Sequence, residues 1–346
     1  MSETISLAHG GGGRLARRLI EDVILKELRA GDSDGAASPE LILLSDGAVL
    51  QSFTGIPVMT TDGFVVTPQV FPGGDIGTLC VTGTVNDLVA SGARPRVLSV
   101  GLILEDGLPI DDLRRFLKSI RATCEKAHVR VACGDTKVVE HGAADKIFIT
   151  TAGLGELAVE PAPGPWRLEG RTGVAVILSG TIGDHGVALL GCREGLHFET
   201  AVESDCAPLA DLILPVLEKF GSAVLCMRDP TRGGLSAVLG EIAEQAGIGI
   251  DIVQANVPVK PAVRGVCDLL GLDVFALANE GKMVLFVEES VASAVVSLLQ
   301  KHPLGRDAAI IGRTVERSGR PVHLVTSLGV RRPLEVPLGE TLPRIC

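Results

Sequence analysis

Apolar positions in this chain recur with two different periods, and the places where the period changes divide it into elements. From Ile76 to Ala90 almost every residue is apolar or small, and the run follows Asp75, whose short carboxylate suits the free N–H groups at a helix start. Gly92 and then Pro95 close it, so a helix is expected over 76–90. Between Asp111 and Ala127, Leu113, Phe116, Leu117, Ile120 and Cys124 return at steps of three and four, which makes one face of a second helix. Short β-forming runs bracket these two helices, over 57–61, 97–104, 129–133 and 146–152. The second half repeats the style, with strands expected over 173–179 and 282–287 and helices over 207–220, 234–246 and 291–301.

Between the halves, Glu160-Pro161-Ala162-Pro163-Gly164-Pro165 leaves little room for regular structure and reads as a linker, assigned to 160–169. Mixed strands and helices on either side imply an α/β and α+β protein of two domains, 1–159 and 170–330. A tail over 331–346 remains. Its Pro333, Pro337 and Pro343 fix their own φ and oppose helix, so it is expected to be extended, with Cys346 as its last residue.

Composition narrows the function classes. The length of 346 residues is enough for two separate cores. Hydrophobic residues make up 46% of the chain, yet no uninterrupted apolar run reaches the roughly 20 residues that a membrane span needs, so no membrane association is expected. The start, Met1 to Gly10, has neither the basic end nor the apolar centre of a signal peptide, which makes the cytoplasm the expected compartment. A net charge of −10, few aromatics and no tyrosine argue against a nucleic-acid partner. Eight cysteines include no C-x-x-C and no close histidine, so neither a structural zinc site nor a redox dithiol is signalled. Cys80, Cys124 and Cys133 lie in apolar runs and are expected to be buried. Cys346 follows no such pattern, and a cysteine in last place is not the prenylation signal, which needs it four residues from the end.

Candidate chemistry gathers where acidic residues stand beside glycine. Asp46-Gly47, Asp62-Gly63, Asn86-Asp87, Gly134-Asp135-Thr136-Lys137 and Arg228-Asp229-Pro230-Thr231-Arg232-Gly233-Gly234 put carboxylates at strand ends or on a helix face with small neighbours. Each Asp-Gly by itself suits a turn. Together they suit magnesium, which takes hard oxygen ligands and keeps bound phosphates and waters. Asp87 stands apart because it lies within the 76–90 helix, a turn beyond Gly83 and Thr84. Near the start, His9, Gly10, Gly11, Gly12 and Gly13 precede an amphipathic helix carrying Leu15, Leu19, Val23 and Leu28. Amides in such a run either cradle phosphate or form a flexible linker, and the run matches neither the P-loop nor the Rossmann fingerprint.

Taken in order, these motifs resemble one family. His9 to Gly13, Ser45-Asp46-Gly47-Ala48-Val49, Thr61-Asp62-Gly63-Phe64, Gly83 to Leu88, Cys133 to Val139, Arg228 to Gly234, Asn279-Glu280-Gly281 and the final Pro343-Arg344-Ile345-Cys346 are similar to the hydrogenase-maturation carbamoyl dehydratases, the HypE family, over essentially the whole chain. The ATP-site motifs alone point only to the wider superfamily of aminoimidazole ribonucleotide synthetase, selenophosphate synthetase and thiamine-monophosphate kinase; the terminal Pro-Arg-Ile-Cys selects among them. A selenophosphate synthetase is expected to carry a reactive cysteine near the glycine run, where this chain has His9 and no cysteine before Cys80. A non-catalytic maturation scaffold is the rival from another class, and it would show no ATP hydrolysis that depends on Cys346.

The resemblance implies a two-domain aminoimidazole ribonucleotide synthetase-like fold, an N-terminal domain whose strands pair across a homodimer into a β-barrel, and a flexible C-terminal tail. It also implies the reaction. The carbamoyltransferase HypF places a carbamoyl group on Cys346, ATP with Mg2+ drives dehydration of that S-carboxamide to a thiocyanate, and cyanide passes to the HypC–HypD complex for the iron of [NiFe]-hydrogenase. By the same resemblance Asp46, Asp62, Asp87, Asp135 and Asp229 are expected as metal ligands. His9, Gly10 to Gly13, Asp62, Asn86, Asp135, Thr136 and Asp229 are expected at the nucleotide, and Cys346, Glu280 and Lys137 in catalysis. Glu280 is the candidate base, while Lys137 is placed to orient the carboxamide, stabilise phosphoryl charge or act as a base.

Overall fold

The structure is a computed structural model that describes residues 4–29, 47–50, 52–194, 202–336, 342, 344 and 345. Asp46 and Cys346, both expected at the site, lie outside the described residues.

The first unit is a four-stranded sheet with helices on one face. Its strands are β1 (Pro57–Phe64), β4 (Ala93–Glu105), β5 (Arg130–Val139) and β6 (Ile147–Leu157), in the order β1-β6-β4-β5; a small hairpin of β2 (Val70–Phe71) and β3 (Gly74–Asp75) stands beside it. The helix Ile76–Ala90 appears where the sequence indicates, with the Asp75 side chain accepting from the Thr78 N–H at 3.0 Å. Being apolar almost all round, this helix has no solvent face to offer, and it is buried between the sheet and the second unit. The helix Ile110–Ala127, strongly amphipathic, covers it from outside and buries Leu113, Phe116, Leu117, Ile120 and Cys124 as expected.

Four departures from the sequence reading have physical causes. Strand β5 runs on to Val139, because parallel pairing with β4 supplies the backbone partners that Gly134 to Lys137, with their polar side chains, do not advertise. Pro95 lies inside β4, opposite Gly155 and beside a register irregularity before Val97, the kind of place where a sheet tolerates proline. The N-terminal segment is an α-helix over Arg14–Arg18, a π-helix over Leu19–Leu25 and α again over Lys26–Arg29. Its wider turn rotates the apolar stripe, so Leu19, Val23 and Leu28 are buried while Leu15 stays exposed. Cys133 also departs from expectation: it is half-buried, because it sits on the sheet face turned away from the helices. Cys80 and Cys124 are buried, and every described cysteine is a free thiol.

The second unit is a seven-stranded sheet of β7 (Ala175–Leu178), β8 (Val224–Arg228), β9 (Gly249–Val253), β10 (Val284–Val287), β11 (Ala309–Val315), β12 (Val322–Val325) and β13 (Arg331–Pro333), in the order β13-β12-β9-β11-β7-β10-β8. Strands β7 and β10 are buried at every position, which explains their continuous apolar sequence. Residues 331–333, at the start of the expected tail, pair with β12 as an edge strand. In the expected linker, Pro165–Leu168 forms a 3-10 turn, pinned by Arg167 donating to the carbonyls of Ser222 at 2.6 Å and Val224 at 2.8 Å. Among the described residues no helix is long and apolar enough to cross a membrane. The four-stranded sheet does not close on itself: among the described strands β1 and β5 each keep an unpaired edge.

Candidate active site

Where the two units meet, three of the expected aspartates and Glu280 converge. Asp62 stands on β1 opposite Thr151 of β6, on the face that the Ile76–Ala90 helix covers. Asp87 comes from that helix and accepts a hydrogen bond from the Thr60 hydroxyl at 2.9 Å. The helix approaches the strand closely because Gly83 has no side chain; a Cβ there would stand 2.9 Å from the Phe64 ring and 3.4 Å from Asp62 Oδ2. From the second unit, the turn after β8 delivers Asp229 and Arg232. Gly233 and Gly234 hold positive φ, and a Cβ on Gly234 would lie 2.4 Å from the Leu277 carbonyl, so the turn needs glycine for both conformation and space. Arg232 reaches to 3.7 Å from Asp62, an ion pair between the units.

So many carboxylates in one cleft repel each other. Burial, followed by repulsion from Asp87, pushes Asp229 up to about 7. Burial raises Asp87 and Asp62 as well, against the Thr60 hydrogen bond at Asp87 and the Gly63 N–H at Asp62. Glu280 goes furthest: burial, then the charges of Asp229, Asp205, Asp62 and Asp87, hold it well above the ordinary glutamate range. A divalent cation would relieve this repulsion. Among the described residues of a single chain no three His, Cys, Asp or Glu side chains stand close enough to cage a metal. Such carboxylates suit magnesium only in company with phosphate and water, which complete its shell.

A stability prediction follows from Asp229. A folded-state value of about 7, against an ordinary 3.8, means the folded chain holds an extra proton between those pH values, so stability falls as pH rises through that window and is level above it. Asp229→Asn, in the absence of metal and nucleotide, is therefore expected to be more stable than the parent by of order 1 to 3 kcal/mol at pH 8, with a gap that widens between pH 4 and pH 7. Urea denaturation at pH 4, 6 and 8 measures it; a gap that stays constant with pH contradicts the assignment.

Glu280 is fixed through its backbone and left open at its side chain. Its N–H donates to Asp205 at 3.1 Å, its carbonyl accepts from Asn86 Nδ2 at 3.2 Å, and Oε1 is buried with no hydrogen-bond partner. Asp205 also accepts from the Gly281 N–H at 3.2 Å and from Lys282 Nζ at 3.0 Å; burial opposes its ionisation, but Lys282 and His185 keep it below the usual carboxylate range. Gly281 permits this contact, since a Cβ there would fall 1.8 Å from the Asp205 carbonyl. Asn279 anchors the loop from the other side, accepting from the Gly183 N–H at 2.7 Å and donating to the Pro230 carbonyl at 3.0 Å. The Asn86 amide is itself committed to backbone, donating to Ala207 and Glu280 and accepting from the Leu209 N–H at 2.8 Å, so it ties the two units together beside the carboxylates.

Two cavities meet at Arg232. One, of about 710 Å³, carries Asp87, Asp229, Arg228 and Thr231 at one end and the apolar Ile56, Pro165 and Trp166 at the other. The other, of about 200 Å³, runs from Gly63 past Arg232 and Gly233 to Leu342, Arg344 and Ile345. The described end of the tail thus lies in the cleft, with Ile345 only 6% exposed.

The remaining sequence candidates lie elsewhere in the chain. Asp135 and Lys137 form an exposed ion pair of 2.7 Å on β5, and the Lys137 hydrogen bond holds Asp135 low. Asp62 is level with Thr151, Val100 and Gly134, so Asp135, one residue on, turns to the opposite face about 14 Å away, three strand spacings across the sheet. Thr136 stands between them on the same strand. The glycine run packs beside β5 as well, since a Cβ on Gly10 would meet Val138 at 2.9 Å, while Gly12 and Gly13 face open space. His9 uses Nδ1 to accept from the Ser6 N–H at 3.0 Å, capping its own turn. Sequence reasoning missed Asp205, Lys282 and His185, none of which sits in an Asp-Gly pattern. Arg232 was visible inside the Arg228 to Gly234 motif, although not as an ion-pair partner of Asp62.

Comparison with known proteins matches both units of the fold. Residues 45–157 match the N-terminal domain, and residues 171–324 the C-terminal domain, of the AIR synthase related proteins. Over 99% of this chain and 99% of the relative, the sequence is 45% identical to carbamoyl dehydratase HypE of Escherichia coli (strain K12). A solved structure of hydrogenase maturation protein HypE in complex with ATP superposes with a TM-score of 0.92 at 43% identity, covering 99% of this chain and 100% of that one. A HypE–HypF complex gives a TM-score of 0.78 at 40% identity, over 94% of this chain and 100% of that chain.

Proposed function

This chain belongs to the HypE carbamoyl dehydratase family, and from that premise we propose that it dehydrates an S-carboxamide on Cys346 to a thiocyanate at the expense of ATP. The observation that carries the reading is the described end of the tail: Ile345 is buried, and Leu342, Arg344 and Ile345 line a cavity that meets the one holding Asp87 and Asp229 at Arg232, the ion-pair partner of Asp62.

In the reaction the carboxamide oxygen takes the γ-phosphoryl group of ATP, releasing ADP. The two protons of the amide nitrogen are then removed as the carbon–oxygen bond breaks, phosphate leaves, and a carbon–nitrogen triple bond remains on sulfur. Buried among negative charges, Glu280 has a raised proton affinity, which makes it the stronger base for the nitrogen protons. Asn86 and Asp205 hold its backbone while its carboxyl stays free to take a proton. Arg232 lies between the two cavities, where it offers charge to phosphoryl oxygens. Asp62, Asp87 and Asp229 would hold magnesium, which when bound supplies positive charge to the phosphates.

The split between the two edges of the first sheet supports a homodimer. Residues Met59, Ile103, Phe148 and Leu154 leave the face away from the helices partly open and apolar, and both edge strands are unpaired. A second copy pairing β5 beside β1 would close an eight-stranded barrel and bring its Asp135, Thr136, Lys137 and glycine run to the carboxylates of the first. Asp135 would then join the metal ligands, His9 to Gly13 would lie over the phosphates, and Lys137 would approach the carboxamide. Asp46 takes its metal role from the family pattern alone. The same reading divides the chain into an ATP-binding and dimerisation domain (1–159), a linker (160–169), an α+β domain (170–330), whose sheet takes 331–333 as its edge strand, and a tail that continues to the reactive Cys346. HypF is the proposed carbamoyl donor, supported by the neighbouring HypE–HypF complex, and HypC–HypD the acceptor of cyanide. Free thiols at all described cysteines accord with a cytoplasmic setting.

Intact mass spectrometry tests the proposal. After incubation with the carbamoyl donor system the chain should gain one carbamoyl group, and addition of ATP with magnesium should remove one water from it. Chelation of the metal should leave the carbamoyl adduct unchanged. Water loss without ATP, or an adduct that ATP and magnesium do not alter, contradicts it.

A further inference from the structure

We propose that His185, Arg193 and Asp145 form a docking site for the last residues of this chain, and that the site couples the arrival of the C-terminus to the placement of Glu280. The inference rests on the function proposed above and names residues that hold the tail rather than react with it.

A chain end ordinarily frays, with its carbonyls bound to water. Here two consecutive carbonyls are held by donors from two separate segments, the Thr67 backbone and the Asp184–Arg193 helix. The Arg344 carbonyl accepts from the Thr67 N–H at 3.2 Å and from the Arg193 guanidinium, which also donates to the Thr67 carbonyl. The Ile345 carbonyl accepts from His185 Nε2 at 2.8 Å. Since a carbonyl only accepts, the proton must be on Nε2, which leaves Nδ1 to accept from the Ser204 hydroxyl at 2.7 Å. Phe71 meets the imidazole edge-on at 5.4 Å and fixes its plane. Side chains add selectivity: Arg344 pairs with Asp145 at 2.8 Å, where Thr67 Oγ1 also donates, and Ile345 packs into the main core. One peptide bond joins Ile345 to Cys346, so holding Ile345 limits where the terminal thiol can be.

The same imidazole is linked to the base. Ser204, which bonds His185, is followed by Asp205, which bonds the backbone of Glu280 and Gly281 and the Lys282 ammonium. Ser204 is itself fixed by its N–H donating to the Pro72 carbonyl at 2.8 Å. Two adjacent residues of one strap therefore touch the group that holds the tail and the loop that holds Glu280. His185, Arg193 and Asp145 are positioning residues on this account.

The test uses the full chain and two readouts. Alkylation of Cys346 by iodoacetamide, followed by peptide mass without ATP or carbamoyl donor, reports docking alone; single-turnover water loss from carbamoyl-loaded protein under saturating ATP and magnesium reports its consequence. Arg193→Ala is expected to speed alkylation about tenfold or more and to slow water loss by a similar factor, since it removes charged hydrogen bonds to two carbonyls. Asp145→Lys and Arg344→Glu, at a half-exposed pair, are each expected to change both rates by roughly three- to tenfold, and the double exchange to return both to within about twofold of the parent. Equal alkylation of Cys346 in the parent and every variant overturns the docking site, as does a double exchange no better than the single ones. If the parent itself loses no water, the functional reading fails, and alkylation still decides the docking site.

Discussion

Cys346→Ala is expected to abolish the carbamoyl adduct and the thiocyanate, by at least about a hundredfold, while ATP affinity and thermal stability stay at the parent's values. The thiolate is the form of cysteine that attacks, so the question is which thiol of the eight can supply one. Five are withheld by their surroundings. Burial pushes Cys80 and Cys206 well above the usual thiol range, Cys124 and Cys226 up to about 12, and Cys267 up to about 11. Cys133 is half-buried on the open face of the first sheet, and Cys192 is exposed at the end of the Asp184–Arg193 helix. Cys192→Ala is therefore the decisive control, and it should load and dehydrate like the parent. Stability should be unaffected by loss of the terminal thiol because the described anchors of the tail are Ile345 and Arg344. Intact mass, a melting curve and a calorimetric ATP titration on the two variants check all of this. A carbamoyl adduct that persists in Cys346→Ala would falsify the assignment of the attachment point.

What the sequence made legible depended on whether a single element carried the signal. The Ile76–Ala90 helix could be placed to the residue because a capping aspartate, an apolar run and Gly92 all belong to one stretch. Strands β9 and β11 were missed because Gly249, Asp251 and Gly312 break their apolar pattern, and they are stabilised by pairing with each other rather than by local pattern. The site followed the same rule. Asp62, Asp87 and Asp229 were readable as acidic residues among glycines, and they do converge. That Asp135 and Lys137 lie at the far edge, on the other face, follows from strand order and register, which no local motif encodes. Asp205 and His185 were invisible for a related reason. Their roles come from contacts with Glu280, Lys282 and Ile345, between 75 and 160 residues away in sequence.

Glu280→Gln should keep carbamoylation, which the donor enzyme performs, and slow ATP-driven water loss by roughly 10² to 10⁴-fold, the usual contribution of a positioned general base. The replacement preserves size and the backbone contacts to Asn86 and Asp205, so the loop should stay in place. It removes the carboxyl proposed to take a nitrogen proton, and with it a group whose ionisation the cleft opposes. The pH dependence separates these effects. Because burial and neighbouring negative charge raise the proton affinity of Glu280, its basic form is scarce at low pH and accumulates as pH rises, so the parent's single-turnover rate should climb with pH until the group is ionised. The glutamine variant, having nothing to ionise at that position, should lose that limb of the profile and stay slow throughout. A merely structural role for Glu280 would instead lower the rate by one factor at every pH and leave the limb intact. Water loss in the variant at the parent's rate would remove Glu280 from the chemistry and shift the search for a base to Lys137 of a second copy.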